Sequence, residues 1–579
     1  MKAASRVTER GVIRKPAAGR IQVALVYPNA YPVGMSNLGF QTVYRLFNEL
    51  EQVVCERAFL PEPGSEKKHR ITTLETRRPL NEFDIIAFSI SYENDAPGVL
   101  TVLDAAGIPL SAERRSNTFP LVLAGGVFAF LNPEPLAPFI DAFLLGEAEA
   151  LIPGFFEVFD PALKKDVLLE TLAQTVPGVY VPAFYQPRYH DDGTLADFLP
   201  TRAAPSTIKR MWAPDLSALP TASVILTPDT PFADTYLIEV SRGCPHGCRF
   251  CSAGYVYRPP RFRPIDLLSR QVDAGCLLTD RIGLVGAAVS DLPEIDALCA
   301  RDRGRDLHFA FSSLRADALD GPLIEALRKS RTQTATIAPD AGSERMRRVI
   351  NKGLSEDQIL WATEVLVSAG IPNLKLYFMV GLPTETEADV AAIVDLVGRV
   401  KQRFLGASRK IGRMGGITVS LSAFVPKPFT PFQWAAMDPV RTLKQKIRNV
   451  RDGLRSVANV RVQGDAPGNA YVQGLIARGD RRVGAALLLM HQQPGNAARI
   501  AGKWEGNPDF YVCRERFSDE RFPWELIDHG IDRAHLFNEY RRALEARSSP
   551  PCPADPQHCR LCGVCGKTVF KNQDSENRK

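Results

Sequence analysis

Two successive runs of strand–helix alternation predict an α/β fold. An N-terminal doubly wound, Rossmann-like sheet leads into an open (βα)6 partial barrel, and a mainly helical C-terminal region with a cysteine cluster follows. Three observations carry that prediction. Apolar runs of strand length recur between amphipathic stretches, six of them from residue 235 onward alternate with helical patterns, and two tight cysteine clusters sit on loops.

The first series runs through "IQVALVYP" (21–28), "FDIIAFSI" (83–90), "FPLVLAGG" (119–126) and "DAFLLGEAE" (141–149), which read as buried parallel strands. "FQTVYRLFNELEQ" and "ENDAPGVLTVLDAAG" supply helices between them. Ligands of such sheets bind outside the carboxyl ends of the strands, here the loops "PNAYPVGMSNLG", "SISYENDAPG" and "AGGVFAFLNPEP".

The second series places strands at 235–240, 281–286, 307–312, 333–338, 374–380 and 416–422. Six units are too few for a closed eight-stranded barrel, so an open one is expected, with its chemistry at the strand C-terminal ends. The whole chain then divides into a disordered lead-in (1–20), a Rossmann-like domain (21–175), a connector (176–232), the barrel (233–435), a helical domain (436–549), a cysteine-bearing tail (550–568) and a disordered end (569–579).

Composition excludes several classes. At 45% hydrophobic and 23% charged, the 579 residues read as ordinary globular protein, and a net charge of +6 does not by itself argue for nucleic acid. The longest apolar runs, such as "GAALLLM" (484–490), are far short of the ~20 residues of a membrane span, so no membrane association is expected. The basic N-terminus has no secretory apolar core, and seven of the eleven cysteines fall in two tight clusters, the pattern of metal sites in a reducing compartment. The cytoplasm is the expected location. Cys55, Cys276, Cys299 and Cys513 are scattered and read as small buried hydrophobes.

Cys244, Cys248 and Cys251 form C-x3-C-x2-C just past the first barrel strand. Three thiolates do not complete a zinc site, and His246 lies between ligands on a loop too tight to add the fourth. A 4Fe–4S cluster with one iron left open fits instead. Cys552, Cys559, Cys562 and Cys565 form C-x6-C-x2-C-x2-C, which suits either a structural zinc or a second iron–sulfur cluster. His558 reads as a bystander.

The first cysteine motif, with Phe250 before its last cysteine, resembles the signature of the radical S-adenosylmethionine (SAM) superfamily. That resemblance implies a cluster whose open iron is chelated by SAM, which is then cleaved reductively to a 5′-deoxyadenosyl radical. It also implies a flavodoxin- or ferredoxin-like electron donor. By the same resemblance Gly286, Ser290 and Glu294 are candidates for the SAM amino group. Asp340 and Ser343 are candidates for ribose, Arg345, Arg348 or Lys352 for the carboxylate, and Gly381 and Pro383 for the turn around adenine. A solvated basic helix face is the competing reading of those cations.

The strings at 27–48, 121–150 and 423–434 resemble a fused, largely uncharacterised group of cobalamin-binding radical SAM proteins. The resemblance implies cobalamin in the first domain, with Met35 and Leu38 facing the ring and Gly125 and Gly126 allowing close approach. It implies methylation or rearrangement of an unactivated carbon. His69, in a charged loop, does not sit in the Asp-x-His-x-x-Gly motif of mutase-type cobalamin domains, and no G-x-G-x-x-G follows the first strand. The alternatives are a first domain that merely docks, a cobalamin-independent enzyme of the methylthiotransferase kind acting on tRNA or protein, and a non-catalytic cobalamin or cluster carrier. RNA, protein and a small metabolite all remain compatible as substrate.

Overall fold

The computed structural model describes residues 8–62, 70–299, 307–493, 495–553 and 559–565. His69, His558 and the end at 569–579 lie outside the described residues. The first domain is a six-stranded sheet of β1 (Ile21–Ala30), β2 (Val53–Leu60), β3 (Ile85–Ser89), β4 (Leu121–Gly125), β5 (Ala142–Leu144) and β6 (Val179–Tyr180), in the order β2-β1-β3-β4-β5-β6. All pairings are parallel except β5 with β6. The central strands are buried on both faces, as their unbroken apolar runs require.

Strand β2 is absent from the sequence reading because Glu56 and Arg57 interrupt its apolar run. Both are buried with partners that come from elsewhere. Glu56 accepts hydrogen bonds from Thr73 (2.5 Å) and Thr76 (2.6 Å), and Arg57 pairs with Glu75 and Glu9 at 2.7 Å each. Glu9 belongs to the segment expected to be disordered. Residues 8–20 instead lie on the first domain: the Ile13 amide donates to the Tyr44 hydroxyl at 3.0 Å, and Lys15 Nζ donates to the carbonyls of Asn48, Leu50 and Val53. A fully buried guanidinium and the three carbonyls that Lys15 reaches hold them there.

The barrel strands are β7 (Tyr236–Glu239), β8 (Arg281–Val285), β9 (His308–Phe311), β10 (Thr334–Asp340), β11 (Asn373–Val380), β12 (Ile417–Ala423) and β13 (Val460–Gly464). They form two parallel ladders, β7-β8-β9 and β10-β11-β12-β13. The six strands read from sequence are all present. The seventh, "VRVQG", lies in the region expected to be mainly helical and was not read as a strand, since it is short, polar and at a sheet edge. The long helices Glu387–Lys410 and Val440–Leu454 cover this half-barrel.

The C-terminal region packs across both domains. Residues 424–434 put Phe424, Phe432 and Trp434 into one continuous core with Phe522, Trp524 and Tyr540 and with the first domain. Among the described residues no helix is long and apolar enough to cross a membrane.

The role of residues 8–20 is directly testable. Deleting residues 1–19 leaves Arg57 buried with half its counter-charge gone, and removing one partner of a buried pair costs about 3–5 kcal/mol. Urea unfolding followed through the first domain should show that loss, whereas a disordered lead-in would leave the midpoint unchanged.

Candidate functional site

A largely apolar cavity of about 630 Å³ lies where the C-terminal ends of the first sheet face those of β7, β8 and β9. Each ligand loop anticipated from the sequence reaches it: Asn37 and Leu38 from the first, Ser91 from the second, Gly125, Gly126 and Phe130 from the third. Asn37 caps the helix Leu38–Glu49, and its Nδ2 donates to Ser91 Oγ at 2.9 Å, joining two of these loops. The barrel contributes Leu237, Gly283, Gly286 and Ser312, and the cysteine loop contributes Ser241, Gly243, Ala253 and Tyr257.

The two predicted glycines differ in kind. Gly126 has φ +96°, and a Cβ there would stand 2.5 Å from Ile90 O, so the backbone itself requires glycine. At Gly125 a Cβ would meet only Leu144 O, at an ordinary 3.7 Å. No local constraint demands glycine there; its missing side chain leaves room in the cavity. Leu38 lines the cavity, and Met35 does not. Met35 is buried under the sheet, where its sulfur accepts from Arg57 Nη1 at 3.3 Å.

The loop carrying Cys244, Cys248 and Cys251 is fastened on several sides. The Arg249 side chain is fully buried, and its Nη1 donates to the carbonyls of Arg348 (3.0 Å) and Val349 (2.9 Å) at the end of helix Glu344–Val349. Its other nitrogens reach Glu539, Ser549 and the Arg547 carbonyl. His246 bonds Asp291 at 2.6 Å, tying the loop to the segment after β8. Burial pushes the Cys244 thiol up to about 12 and the Cys248 thiol up to about 11, with Lys352 and Arg315 opposing the rise at Cys248. Such sulfurs become thiolates only when a cation is brought to them. A three-thiol donor set on a loop at the barrel mouth therefore fits an iron–sulfur cluster.

The candidate SAM residues separate into two groups. Asp340, in a left-handed conformation at the end of β10, pairs with Lys352 Nζ at 2.6 Å, and both lie near Cys248 and Cys251. Gly286 lines the cavity, Ser290 accepts from the Arg315 amide at 3.2 Å, and Phe250 packs half-buried against the core. Gly381 turns at φ +83° with its amide on Glu385, and Pro383 follows half-buried.

Ser343 and Arg345 have another use. Ser343 caps its own helix and donates to Asp389 at 2.6 Å, and Arg345 forms an ion pair with the same carboxylate. Asp389 takes them because it is buried at the start of the helix Glu387–Lys410, where its side chain also accepts from the Thr386 amide. Glu294 is exposed before the helix Ile295–Cys299, and Arg348 is exposed beside Glu344. The solvated-face reading holds for Arg348.

Residues 39–182 match the family model for the N-terminal region of radical SAM proteins, and residues 238–397 match that for the radical SAM superfamily. The chain is a radical SAM protein. An uncharacterized protein of Methanocaldococcus jannaschii is 29% identical over 469 residues, 80% of this chain and 90% of its own. A tRNA-2-methylthio-N(6)-dimethylallyladenosine synthase of Sorangium cellulosum is 27% identical over 29% of this chain and 39% of its own. Among solved structures, the radical SAM methyltransferase TsrM of Kitasatospora setae, with cobalamin and a [4Fe-4S] cluster bound, aligns over 93% of both chains at 12% identity and a TM-score of 0.45.

One group in this radical SAM protein escaped sequence reading. Glu147, after β5, lines the cavity and is almost fully buried between Arg261 Nη2 (2.6 Å) and Arg242 Nη1 (2.8 Å). Arg242 also pairs with Glu149 at 2.9 Å and Glu239 at 2.8 Å. Burial alone would raise the Glu147 carboxyl. The hydrogen bond from Arg261 and the charges of Arg242 and Arg261 outweigh it and hold the group at about 2. The sequence reading of "DAFLLGEAE" as a buried strand gives Glu147 and Glu149 no role, because their cationic partners lie about a hundred residues away.

A group held below its unfolded value of about 4.3 stabilises the fold above that pH and loses the contribution as pH falls toward about 2. The unfolding midpoint should therefore drop between about pH 5 and about pH 2, and Glu147→Gln should flatten that drop while costing about 3–5 kcal/mol near neutrality. Equal pH profiles for the two chains would contradict this.

Proposed function

We propose that this radical SAM enzyme binds cobalamin in its first domain and methylates or rearranges an unactivated carbon in the cavity between the two sheets. The cavity itself carries the reading. Two sets of strand ends, each the ligand-binding end of its own sheet, face one space whose wall is the cysteine loop. Its volume falls in the range of cofactor pockets, roughly 300–1,000 Å³.

Cys244, Cys248 and Cys251 would hold the 4Fe–4S cluster. When bound, cluster and SAM supply a radical able to abstract hydrogen from an unactivated carbon, and cobalamin supplies a methyl group. The chain's residues bind and orient. Lys352, beside Cys248, offers a cation for the SAM carboxylate, and Asp340 holds it in place. Gly125 leaves space for the corrin, Asn37 and Ser91 present polar groups to it, and the apolar walls keep water from the reacting atoms. A flavodoxin- or ferredoxin-type donor supplies the electron.

The methylthiotransferase alternative finds no second cysteine set in the first domain. Cys55, its one cysteine, lies in β2 and is 1% exposed.

The test is anaerobic reconstitution with iron, sulfide and hydroxocobalamin, followed by desalting and quantification. About one corrin should be retained, and C244A/C248A/C251A should hold about four fewer irons than the parent. Gly125→Leu should lower corrin retention at least about tenfold with the iron content unchanged, since its neighbours admit the new Cβ. Retention of no corrin by the parent chain would sink the cobalamin reading, and an unchanged iron count in the triple variant would sink the cluster assignment.

A further inference from the structure

The C-terminal cysteines fold back onto the radical SAM loop. The Cys552 amide donates to the carbonyl of Pro245, between Cys244 and Cys248 in the chain, at 2.7 Å. The Ser549 amide, three residues earlier, donates to Asn351 Oδ1 at 2.8 Å, and Asn351 Nδ2 donates to the Gly247 carbonyl at 3.0 Å. From the other side, the Asp532 amide donates to the Cys562 carbonyl at 2.8 Å, and Gly563 turns at φ +84° against Asp532. These bonds bring Cys552, Cys559, Cys562 and Cys565 within electrostatic reach of one another. Cys562 and Cys565 are buried, at 3% and 8% exposure.

A buried cation stands beside them. Arg258 is 7% exposed, its Nε donates to the Gly254 carbonyl at 2.6 Å, and its guanidinium lies over the Tyr255 ring at 4.5 Å. The sulfurs of Cys552 and Cys562 stand beside this guanidinium, so metal-bound thiolates at those positions would meet a cation.

The spacing of the cysteines along the chain favours a cluster. A zinc ion gathers four sulfurs around one centre, whereas a cubane attaches each thiolate to its own iron. The C-x2-C-x2-C portion is the spacing of bacterial ferredoxin runs.

We infer that Cys552, Cys559, Cys562 and Cys565 bind a second 4Fe–4S cluster, ligated wholly by the protein and seated against the Cys244–Cys251 loop. It differs from the first in leaving no iron open, so it offers SAM no binding site.

The experiment removes one set at a time in the full-length chain, reconstituted anaerobically with iron and sulfide in the presence of equimolar zinc. C244A/C248A/C251A should keep about four irons and show a reduced-cluster EPR signal after dithionite. Adding C562A and C565A to that variant should abolish both. One zinc and no iron in the first variant, or no metal at all, overturns the inference. Because C562A/C565A lies at buried positions, the half-buried Cys559→Ser, made singly in the triple-variant background, provides a milder check. With circular dichroism unchanged, it should alter the EPR signal or lose iron, and an unaltered signal and iron count would remove Cys559 from the ligand set. The parent chain's iron loss in C244A/C248A/C251A tests the first site separately, so failure of either assignment is distinguishable from failure of the other.

Discussion

Glu147 is the carboxylate on which the relative placement of the two sheets depends. It follows β5 of the first domain, receives Arg242 and Arg261 from the barrel, and accepts the amide of Ala213 from the connector at 3.1 Å. Burying so many charges is costly unless each is paired and hydrogen-bonded, and the exchange of partners among Glu147, Glu149, Glu239, Arg242, Arg261 and Arg263 meets that condition. Apolar contact alone would permit the sheets to slide. A directional network fixes one alignment, in which both sets of strand ends open into the same cavity.

The C-terminal region closes the arrangement from the opposite side. Lys427 and Gln473 both reach the buried Glu93, after β3, and Trp524 Nε1 donates to Gln433 at 3.0 Å within the shared aromatic core. Burial would raise the Glu93 carboxyl, but Lys427 beside it leaves the group lowered. Arg249 does the same work at the cysteine loop. Its cation sits on the carbonyl end of a short helix, where the helix dipole favours it, and reaches Glu539 beyond. A loop that is to hold a metal cluster is thus fixed by groups outside itself, which spares the cysteines any structural duty.

Local pattern made much of this legible. Unbroken apolar runs announced β1, β3 and β4, because burial on both faces leaves no room for polar residues, and alternation of strands with helices announced the six barrel strands. The cysteine triad could be read from spacing alone, since its ligands are neighbours in the chain. The loops that carry Leu38, Gly125 and Gly126 were legible after strand ends, while these residues and Gly286 were named through the family resemblance.

The sequence by itself determined the fold class and the loops that form the cavity, and it singled out the loop of Cys244, Cys248 and Cys251. Tertiary structure decided what long-range partners decide. Strand β2 exists because Glu9, Thr73, Glu75 and Thr76 satisfy its charges, Met35 turns inward to Arg57, and Ser343 and Arg345 serve Asp389. The reach of Glu147 and the return of Cys552 to Pro245 belong to the same class. Periodicity records only whether a residue is buried. The partner that makes a buried charge tolerable is chosen by packing, at separations of 18 residues for Arg57 and Glu75 and 114 for Glu147 and Arg261, and leaves no mark on the local sequence.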